Sequence, residues 1–427
     1  MKNGLKKCSK ERSTTNFISM KKNQILYISY DGLTDPLGQS QVLPYLIDLT
    51  KLNYGIHVLS TEKDENFLKN RKIIQELCEN SGIKWTWINY TKTPPILSTV
   101  NDVRSLKKKA IALHKKENFD IVHCRSYISA LVGLKIKKKY GVKFLFDMRG
   151  FWADERVDGN IWDLKRLPFR KVYNYFKKKE QQFLLNADQI ISLTYNGKSE
   201  MRGWNYLQGK EDNISVIPCC ADLNHFDFNV IEGNNILKSS LNIPLENKVI
   251  CYLGSVGTWY MMYEMLDYFA IHLKYHPETS FLWITKDEPG MIMSAAKEKG
   301  VQEHVFIKPA ERAQLPGLLS ICDASIFFIK PLYSKKASSP TKMAELLGMG
   351  IPIICNSDVG DTDEIVKKEN LGIVLDGFTE SDYLNAVQKF DELLQIPKNH
   401  LRNKSIQYFS LVQGVKKYHE VYQKLTE

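Results

Sequence analysis

A compact group of chemically useful side chains lies near residue 340. Thr341 supplies a hydroxyl, Lys342 a cation and Glu345 a carboxylate within five residues. Ser339 is a favourable N-cap and Pro340 suits the first helical position, so the spacing predicts a helix that starts there. The free amides and the positive dipole end of such a helix attract phosphate. Because Glu345 lies about one turn beyond Thr341, its carboxylate could accept hydrogen bonds from a ribose.

A purely structural interpretation of this stretch is equally open. Ser339 would then only cap the helix, Lys342 would be solvated and Glu345 would pair with a neighbouring lysine. Both interpretations agree on the local structure, which is a loop, a short buried helix, a glycine-containing turn and the buried strand "IPIICNS".

A second unusual segment is "RGFWADERVDGNIW", which follows a predicted strand. It groups Arg149, Asp154 and Glu155 with two tryptophans, and aromatic faces beside charged groups suit sugar recognition. The alternative is a structural ion-pair network under a long loop. His123 in "DIVHCRS" ends another predicted strand and could contact substrate, although a buried core histidine is equally consistent with its position.

These side chains need elements to position them, and strands alternate with helices along almost the whole chain. Such alternation predicts an α/β protein with parallel, doubly wound sheets, whose ligands bind at the carboxyl ends of the strands. The predicted boundaries are a basic extension at 1–22, an N-terminal domain at 23–222, a linker at 223–247 and a C-terminal domain at 248–405. A last helix at 406–427 is predicted to pack back toward the N-terminal domain, and the two domains should face each other across a cleft.

Composition narrows the class of protein. The 427 residues are 43% hydrophobic, enough for two sizeable cores, and no apolar run is long enough to span a bilayer. Residues 1–22 are polar and basic, which predicts a disordered extension. The eight cysteines are scattered without CxxC or zinc-like spacing, which favours a reduced cytoplasmic location and no metal site.

The charge is unevenly distributed. Through Asp222 there are 38 Lys+Arg against 23 Asp+Glu, a balance of +15, and the remainder is −4, which gives the total of +11. A basic front half predicts an anionic partner. No nucleic-acid module accompanies the charge, so a nucleic acid is not expected. In "LPFRKVYNYFKKKEQQFLL" aromatics from Phe169 to Phe176 mix with lysines to Lys179, which is typical of an interfacial patch on an anionic membrane, or else of a helix with a solvated lysine face.

The chain resembles GT-B glycosyltransferases, and most of all the retaining glycosyltransferase family 4. The resemblance is carried by "YDGLTDPLGQSQVLPYL", "ISVIPCCAD", "YLGS" and "SPTKMAELLGMGIPII". It implies transfer of a hexose from a UDP- or GDP-sugar to a hydroxyl of a glycan or lipid-linked acceptor, with retention of configuration and without a metal or other cofactor. It also implies a place in bacterial surface polysaccharide synthesis, at the cytoplasm or the inner face of its membrane.

The resemblance further implies a role for each matching position. Gly38 and Gln39 would lie in a flexible loop near the donor phosphates and the acceptor. Ser255 to Gly257 would face the diphosphate, and Lys308 to Ala310 would lie near the nucleobase. Ser339, Thr341 and the helix amides would hold phosphate, while Glu345 would hold the ribose.

The chain also departs from the family pattern. Ala337 occupies the position of the first of two glutamates, and "GSVGTWYMM" lacks the arginine and lysine that neutralise the diphosphate. A diphosphate leaving group needs cations, and the nearest candidates are Lys330, Lys335 and Lys342. Arg149 stands where the family has a histidine. These departures keep open a sugar-nucleotide epimerase or a catalytically silent subunit that binds a nucleotide sugar.

Overall fold

The structure is a computed structural model that describes residues 22–230 and 234–427. The predicted extension therefore lies outside the described residues, except for Lys22. Two sheets form the frame of the molecule. The N-terminal sheet has the strand order β3-β2-β1-β4-β5-β6-β7 and the C-terminal sheet the order β10-β9-β8-β11-β12-β13. Every described ladder is parallel.

The strands are short and mostly buried, as expected of sheets that carry helices on both faces. They are β1 (Asn23–Ser29), β2 (Tyr54–Glu62), β3 (Lys84–Asn89), β4 (Ile121–Arg125), β5 (Lys143–Asp147), β6 (Gln189–Ser192), β7 (Ile214–Val216), β8 (Lys248–Leu253), β9 (Thr279–Ile284), β10 (Val305–Lys308), β11 (Ala324–Phe327), β12 (Ile353–Asn356) and β13 (Gly372–Leu375).

The connecting helices complete the doubly wound pattern. They are α1 (Pro36–Gln41), α2 (Leu43–Thr50), α3 (Asp64–Asn80), α4 (Leu97–Glu117), α5 (Ser126–Tyr140), α6 (Trp152–Asp158), α7 (Leu167–Asn186), α8 (Tyr195–Arg202), α9 (Asn234–Ser240), α10 (Met262–Tyr275), α11 (Pro289–Glu298), α12 (Leu315–Leu319), α13 (Thr341–Gly348), α14 (Thr362–Glu369), α15 (Glu380–Val387), α16 (Phe390–Leu394), α17 (Lys398–Phe409) and α18 (Leu411–Thr426).

The chain crosses between the domains twice. After β7 it passes into the C-terminal domain, where Ala221 forms a parallel bridge with Ser410. Helix α17 packs on α13 of the C-terminal domain, whereas α18 returns to the N-terminal domain and packs on α2. Tyr418 and Tyr422 of α18 are buried in the N-terminal core. The last helix thus completes the first domain.

The expectation that Gly38 and Gln39 lie in a flexible loop is wrong, because both residues are in α1. A Cβ at position 38 would lie 2.1 Å from the Gly32 carbonyl oxygen, so glycine is required for this close turn. The carboxylate of Glu62 fixes the preceding loop by accepting from the amides of Leu33 (2.8 Å) and Thr34 (3.1 Å).

Helix α7 is less exposed than its aromatic and lysine pattern predicts. Phe176 is buried, and the Lys177 ammonium pairs with the Asp154 carboxylate at 2.9 Å and the Glu180 carboxylate at 2.6 Å. The exposed face keeps Tyr175, with Leu167 at the start of the helix, and the cations Arg170, Lys171 and Lys178. Among the described residues, no helix is long and apolar enough to cross a bilayer.

Candidate active site

Helix α13 presents uncapped amides toward the space between the domains. It starts at Thr341, with Pro340 as the cap residue and no side chain bonded to its first amides. The prediction that Ser339 caps this helix is therefore wrong. Its hydroxyl instead accepts from the Cys219 amide of the N-terminal domain at 3.1 Å. The first turn of α13 keeps free donors and a positive dipole end, which are the features that bind phosphate.

Glu345 lies one turn further along α13 and is buried. One oxygen accepts from the Arg312 guanidinium at 2.9 Å, and that guanidinium also lies 5.2 Å from the Phe226 ring centroid. Burial raises the pKa of Glu345, while Arg312 and Lys342 act in the opposite direction. One interpretation gave Glu345 a ribose and the other a neighbouring lysine, so the arginine was missed. Its position just after β10, at the sheet edge that carries ligands, was the available signal.

Lys342 occupies an aromatic cage. Its ammonium nitrogen lies 3.8 Å from the Tyr260 ring centroid, 4.2 Å from that of Tyr252 and 5.8 Å from that of Phe327. The side chain is buried, and the nitrogen has no hydrogen-bond partner among the described residues. Burial holds the pKa of Lys342 well below its usual value. The structural alternative, in which Lys342 is solvated, is thus wrong for this residue.

The other residues expected to bind the donor lie at the carboxyl ends of the strands. Ser255 is exposed just beyond β8, and its carbonyl oxygen accepts from the Tyr252 hydroxyl at 2.5 Å. Gly257 has φ +97°, a conformation that favours glycine. Lys308 is exposed at the end of β10, and Lys330 is partly exposed beyond β11. Gln39 donates to the Thr34 carbonyl oxygen at 2.9 Å.

Arg149 stands at the carboxyl end of β5 with φ +57°, which is unusual for a residue with a side chain. Its guanidinium donates to the Cys219 sulfur at 3.2 Å, while its Nε has no partner among the described residues. Burial acts to lower the pKa of Arg149, but the nearby Cys219 and Asp147 outweigh it and raise this pKa. The side chain is a permanent cation with unused hydrogen-bonding capacity.

Glu155 reaches across the cleft. Its carboxylate accepts from the Lys335 ammonium at 2.6 Å, and Lys335 is buried with its nitrogen 4.1 Å from the Trp259 ring centroid. The neighbouring Asp158 carboxylate accepts from the Ser334 amide at 2.9 Å. Helix α6 and the 3₁₀ turn Tyr333–Ala337 therefore join the domains at the point where the two sets of site residues meet.

Asp154 and His123, two further candidates, are held in internal networks. Asp154 accepts from the Tyr173 hydroxyl at 2.8 Å and from Lys177 at 2.9 Å, which fits the structural interpretation. His123 is buried and shares a hydrogen bond of 2.7 Å with the Tyr422 hydroxyl of α18. Burial lowers the pKa of His123. Of the two interpretations left open for His123, the structure favours the buried core histidine, because α18 covers it.

Ala337, at the position of the first glutamate of the family pattern, is packed between the two domains. The residue is 2% exposed. A Cβ on Gly197 would lie 2.9 Å from its Cβ, and a Cβ on Gly150 would lie 3.4 Å from its carbonyl oxygen. The Ala337 side chain is therefore packed closely against Gly197 of the N-terminal domain.

Asp361 also joins the domains. Asp361 immediately precedes α14, at the position where a carboxylate would normally cap that helix. Its carboxylate, however, accepts from the amides of Tyr195 at 2.7 Å and Asn196 at 2.9 Å, so it caps α8 of the other domain. In residues 22–230 and 234–427, no cluster of three His, Cys, Asp or Glu side chains could hold a metal ion.

The chain is similar in sequence to known proteins. The model of the family "Glycosyltransferase Family 4" matches residues 47–225. An Escherichia coli UDP-Gal:alpha-D-GlcNAc-diphosphoundecaprenol alpha-1,3-galactosyltransferase is 22% identical over 395 residues, which cover 88% of this chain and 95% of that protein. The chain has the GT-B fold and is similar to glycosyltransferases of family 4.

Solved structures support the fold of this glycosyltransferase. A glycosyltransferase from Rickettsia africae superposes with a TM-score of 0.70 at 17% identity, covering 95% of this chain and 99% of the other. Anabaena HepE in complex with UDP and glucose superposes with a TM-score of 0.66 at 13% identity, covering 93% and 99%. These structures confirm the predicted fold, and the match of residues 47–225 confirms the resemblance to family 4.

Proposed function

We propose that this glycosyltransferase transfers a hexose from a UDP- or GDP-sugar to a hydroxyl of a glycan or lipid-linked acceptor, with retention of configuration. The observation that carries the proposal is the arrangement on α13, where a buried carboxylate fixed by Arg312 lies one turn from uncapped helix amides. A ribose at Glu345 would place the diphosphate of the same nucleotide at the start of the helix.

The names of similar proteins support this substrate class. The Escherichia coli relative is described as using UDP-Gal and a lipid diphosphate acceptor, and the Anabaena structure contains UDP and glucose. For this chain, a lipid-linked acceptor would place the reaction at the cytoplasmic face of a membrane, in synthesis of a surface polysaccharide. The basic N-terminal half is suited to such a surface.

The proposed mechanism needs electrostatic stabilisation of the leaving diphosphate more than a protein nucleophile. Lys335 and Lys342 and the amides of α13 would stabilise the negative charge that develops when the bond to the sugar breaks. The leaving phosphate would itself take the proton of the acceptor hydroxyl. Arg149 and Glu155, on the opposite side of the cleft, would orient the sugar and the acceptor. This mechanism requires no metal ion.

The experiment is donor binding followed by transfer. Isothermal titration with UDP, GDP, UDP-Gal, UDP-Glc and GDP-Man would identify the base and the sugar. Incubation of the preferred radiolabelled donor with membranes that contain lipid-linked intermediates would then test transfer, and NMR of the product would give the anomeric configuration. The proposal fails if no nucleotide binds, or if the product anomer is inverted relative to the donor.

A second candidate function is a nucleotide-sugar-binding subunit without transferase turnover, which Ala337 favours because the family's first glutamate is absent. It predicts donor binding with no transfer to any membrane fraction and no donor hydrolysis. An epimerase would instead interconvert two nucleotide sugars without an acceptor, which the same incubation would detect.

A further inference from the structure

A cavity apart from the donor site lies between α7, the segment Trp204–Tyr206 and the start of the 3₁₀ turn Tyr333–Ala337. This outer groove has a volume of about 630 Å³, a size typical of ligand sites, and it opens broadly to solvent. None of the described residues that line it belongs to α13. The donor site therefore does not account for it.

Aromatic rings form the walls of the outer groove. Tyr206 has Trp204 as a ring neighbour, with centroids 5.7 Å apart. Tyr333 stacks on Phe151 at 5.5 Å and is still 39% exposed. Tyr173 lines the groove without an aromatic ring stacked on it in the described part of the chain. Amphipathic rings of this kind suit a ligand that has both apolar C–H faces and hydroxyl groups, as sugars do.

Two side chains of the outer groove keep unused hydrogen-bonding groups. The Tyr206 hydroxyl and the Gln181 amide form no hydrogen bond to any side chain or backbone group of the described residues. A hydroxyl and an amide both donate and accept hydrogen bonds. Sugar hydroxyls also do both, so these two groups match a carbohydrate better than an apolar ligand.

The charges of the outer groove favour a neutral ligand. The Lys177 ammonium pairs with the Asp154 carboxylate at 2.9 Å and the Glu180 carboxylate at 2.6 Å, and Lys178 is exposed beside them. Two carboxylic acids and two lysines thus line the groove, and their formal charges balance. A phosphate would meet both carboxylates here, in contrast to the free amides at the start of α13.

One turn connects the outer groove with the cleft. Its first residue, Tyr333, is a wall of the groove, and its third, Lys335, pairs with Glu155 of the other domain at 2.6 Å. Helix α13 starts only eight residues after Tyr333. The outer groove therefore adjoins the junction of the domains, where the two sets of site residues meet.

We propose that the outer groove is a subsite for a neutral oligosaccharide, which is the part of the acceptor behind the sugar that receives the hexose. The tyrosine rings pack against the sugar rings, and Tyr206 and Gln181 exchange hydrogen bonds with their hydroxyls. The acceptor is accordingly a chain of several sugars, not a lipid that carries a single one. The inference rests on the proposed function, since it describes the acceptor of that reaction.

The test is transfer kinetics with acceptors of different length. Lipid-linked saccharides from the membranes of the transfer assay are separated by charge and by number of sugars. For the wild-type enzyme, the KM of a neutral four-sugar acceptor should be about tenfold below that of a one-sugar acceptor. Tyr206→Ala should raise the KM of the longer acceptor about five- to tenfold, with little change in kcat. Tyr275→Ala, at an exposed tyrosine of α10, is the matched control and should leave both KM values unchanged.

A binding measurement without turnover is the second arm. Neutral oligosaccharides released from the same lipids by mild acid should give saturation-transfer NMR signals with the wild-type enzyme. These signals should be lost in Tyr206→Ala and weakened in Gln181→Ala, which removes an unpaired amide at the surface. Isothermal titration with UDP and GDP should give unchanged nucleotide affinity for both variants.

The outcomes separate this inference from the proposed function. Equal KM values for short and long acceptors would overturn the subsite, as would oligosaccharide binding that both variants retain. Binding of anionic oligosaccharides alone would overturn the neutral ligand, and loss of nucleotide affinity in Tyr206→Ala would place the nucleotide in the groove instead. Each of these results leaves hexose transfer standing. Absence of both nucleotide binding and transfer would overturn the proposed function, and the inference with it.

Discussion

The charged and polar groups on the two sides of the cleft differ in their hydrogen-bond partners. On the C-terminal side, α13 has uncapped amides and a lysine without a hydrogen-bond partner. On the N-terminal side, Asp154 and His123 are already engaged with Tyr173, Lys177 and Tyr422. Unused hydrogen-bonding capacity therefore distinguishes Lys342 from Asp154, although it is shared by His123, whose Nε2 also lacks a hydrogen bond among the described residues.

Hydrogen-bond partners also separate Arg149 from Asp154, two candidates of the same N-terminal segment. Arg149 has an unpartnered nitrogen and a strained backbone, both of which are common at functional sites. Asp154, only five residues further on, is half of an ion pair between α6 and α7. Two residues only five positions apart therefore have different roles, Arg149 in the site and Asp154 in holding α6 to α7.

The largest effect is expected at Glu345, the best-fixed group on the C-terminal side. Glu345→Ala removes a charged acceptor for the ribose, which costs about 1.5–3 kcal/mol, and it also leaves Arg312 without its carboxylate. Titration with UDP and GDP should show about a ten- to hundredfold loss of affinity. Glu298→Ala, at an exposed glutamate of α11, is the matched control. Unchanged affinity with a normal melting curve would move the nucleotide away from α13.

A somewhat smaller effect is expected at Arg149, and it should act on turnover instead of nucleotide affinity. Arg149→Ala should lower turnover about tenfold or more and change nucleotide affinity by less than about twofold, because the guanidinium belongs to the N-terminal domain and contacts Cys219 instead of a residue of α13. Arg149→Lys should recover part of the turnover, since it keeps the charge but loses the planar donor geometry.

Asp154→Asn provides the comparison for Arg149. It weakens the contact with Lys177 but leaves Lys177 paired with Glu180. Stability should fall by about 1–2 kcal/mol, with near-normal turnover of the folded enzyme. If Asp154→Asn abolished turnover without a stability change and Arg149→Ala did the reverse, the division of this cluster would be wrong.

Position 337 tests whether the closed contact between the domains excludes the family's glutamate. Ala337→Glu should crowd Gly197, which lies close to the Ala337 Cβ, and overpacking of this kind costs about 1–3 kcal/mol. Small-angle scattering should show a more open molecule, and transfer should fall. Ala337→Ser, which adds a single atom, is the control. A compact Ala337→Glu variant with higher turnover would contradict this explanation.

The sequence allowed the fold to be predicted because strand and helix patterns are local, and the same holds for the short helix that carries Lys342 and Glu345. The partners of these residues could not be predicted. Arg312, Tyr252 and Tyr260 come from other strands and loops, so their contacts exist only after the sheet has formed. Asp361 is a further example, because a residue placed to cap its own helix caps α8 instead.

The smallest expected effect concerns the outer face of the N-terminal domain, far from the buried groups of the cleft. The membrane patch first inferred from α7 must be redrawn, because Lys177 and Phe176 are committed internally. Lys171 and Lys178 remain exposed, with Tyr175 between them.

A lysine near an anionic surface contributes about 1 kcal/mol, so Lys171→Gln should weaken sedimentation with phosphatidylserine vesicles at most about fivefold. Lys274→Gln, on the C-terminal domain, should have no effect. Neutral phosphatidylcholine vesicles should bind weakly throughout, and salt should release the protein from anionic ones. Equal recovery with both kinds of vesicle, or an equal loss for the two lysine variants, would mean that the basic surface does not orient this enzyme on a membrane.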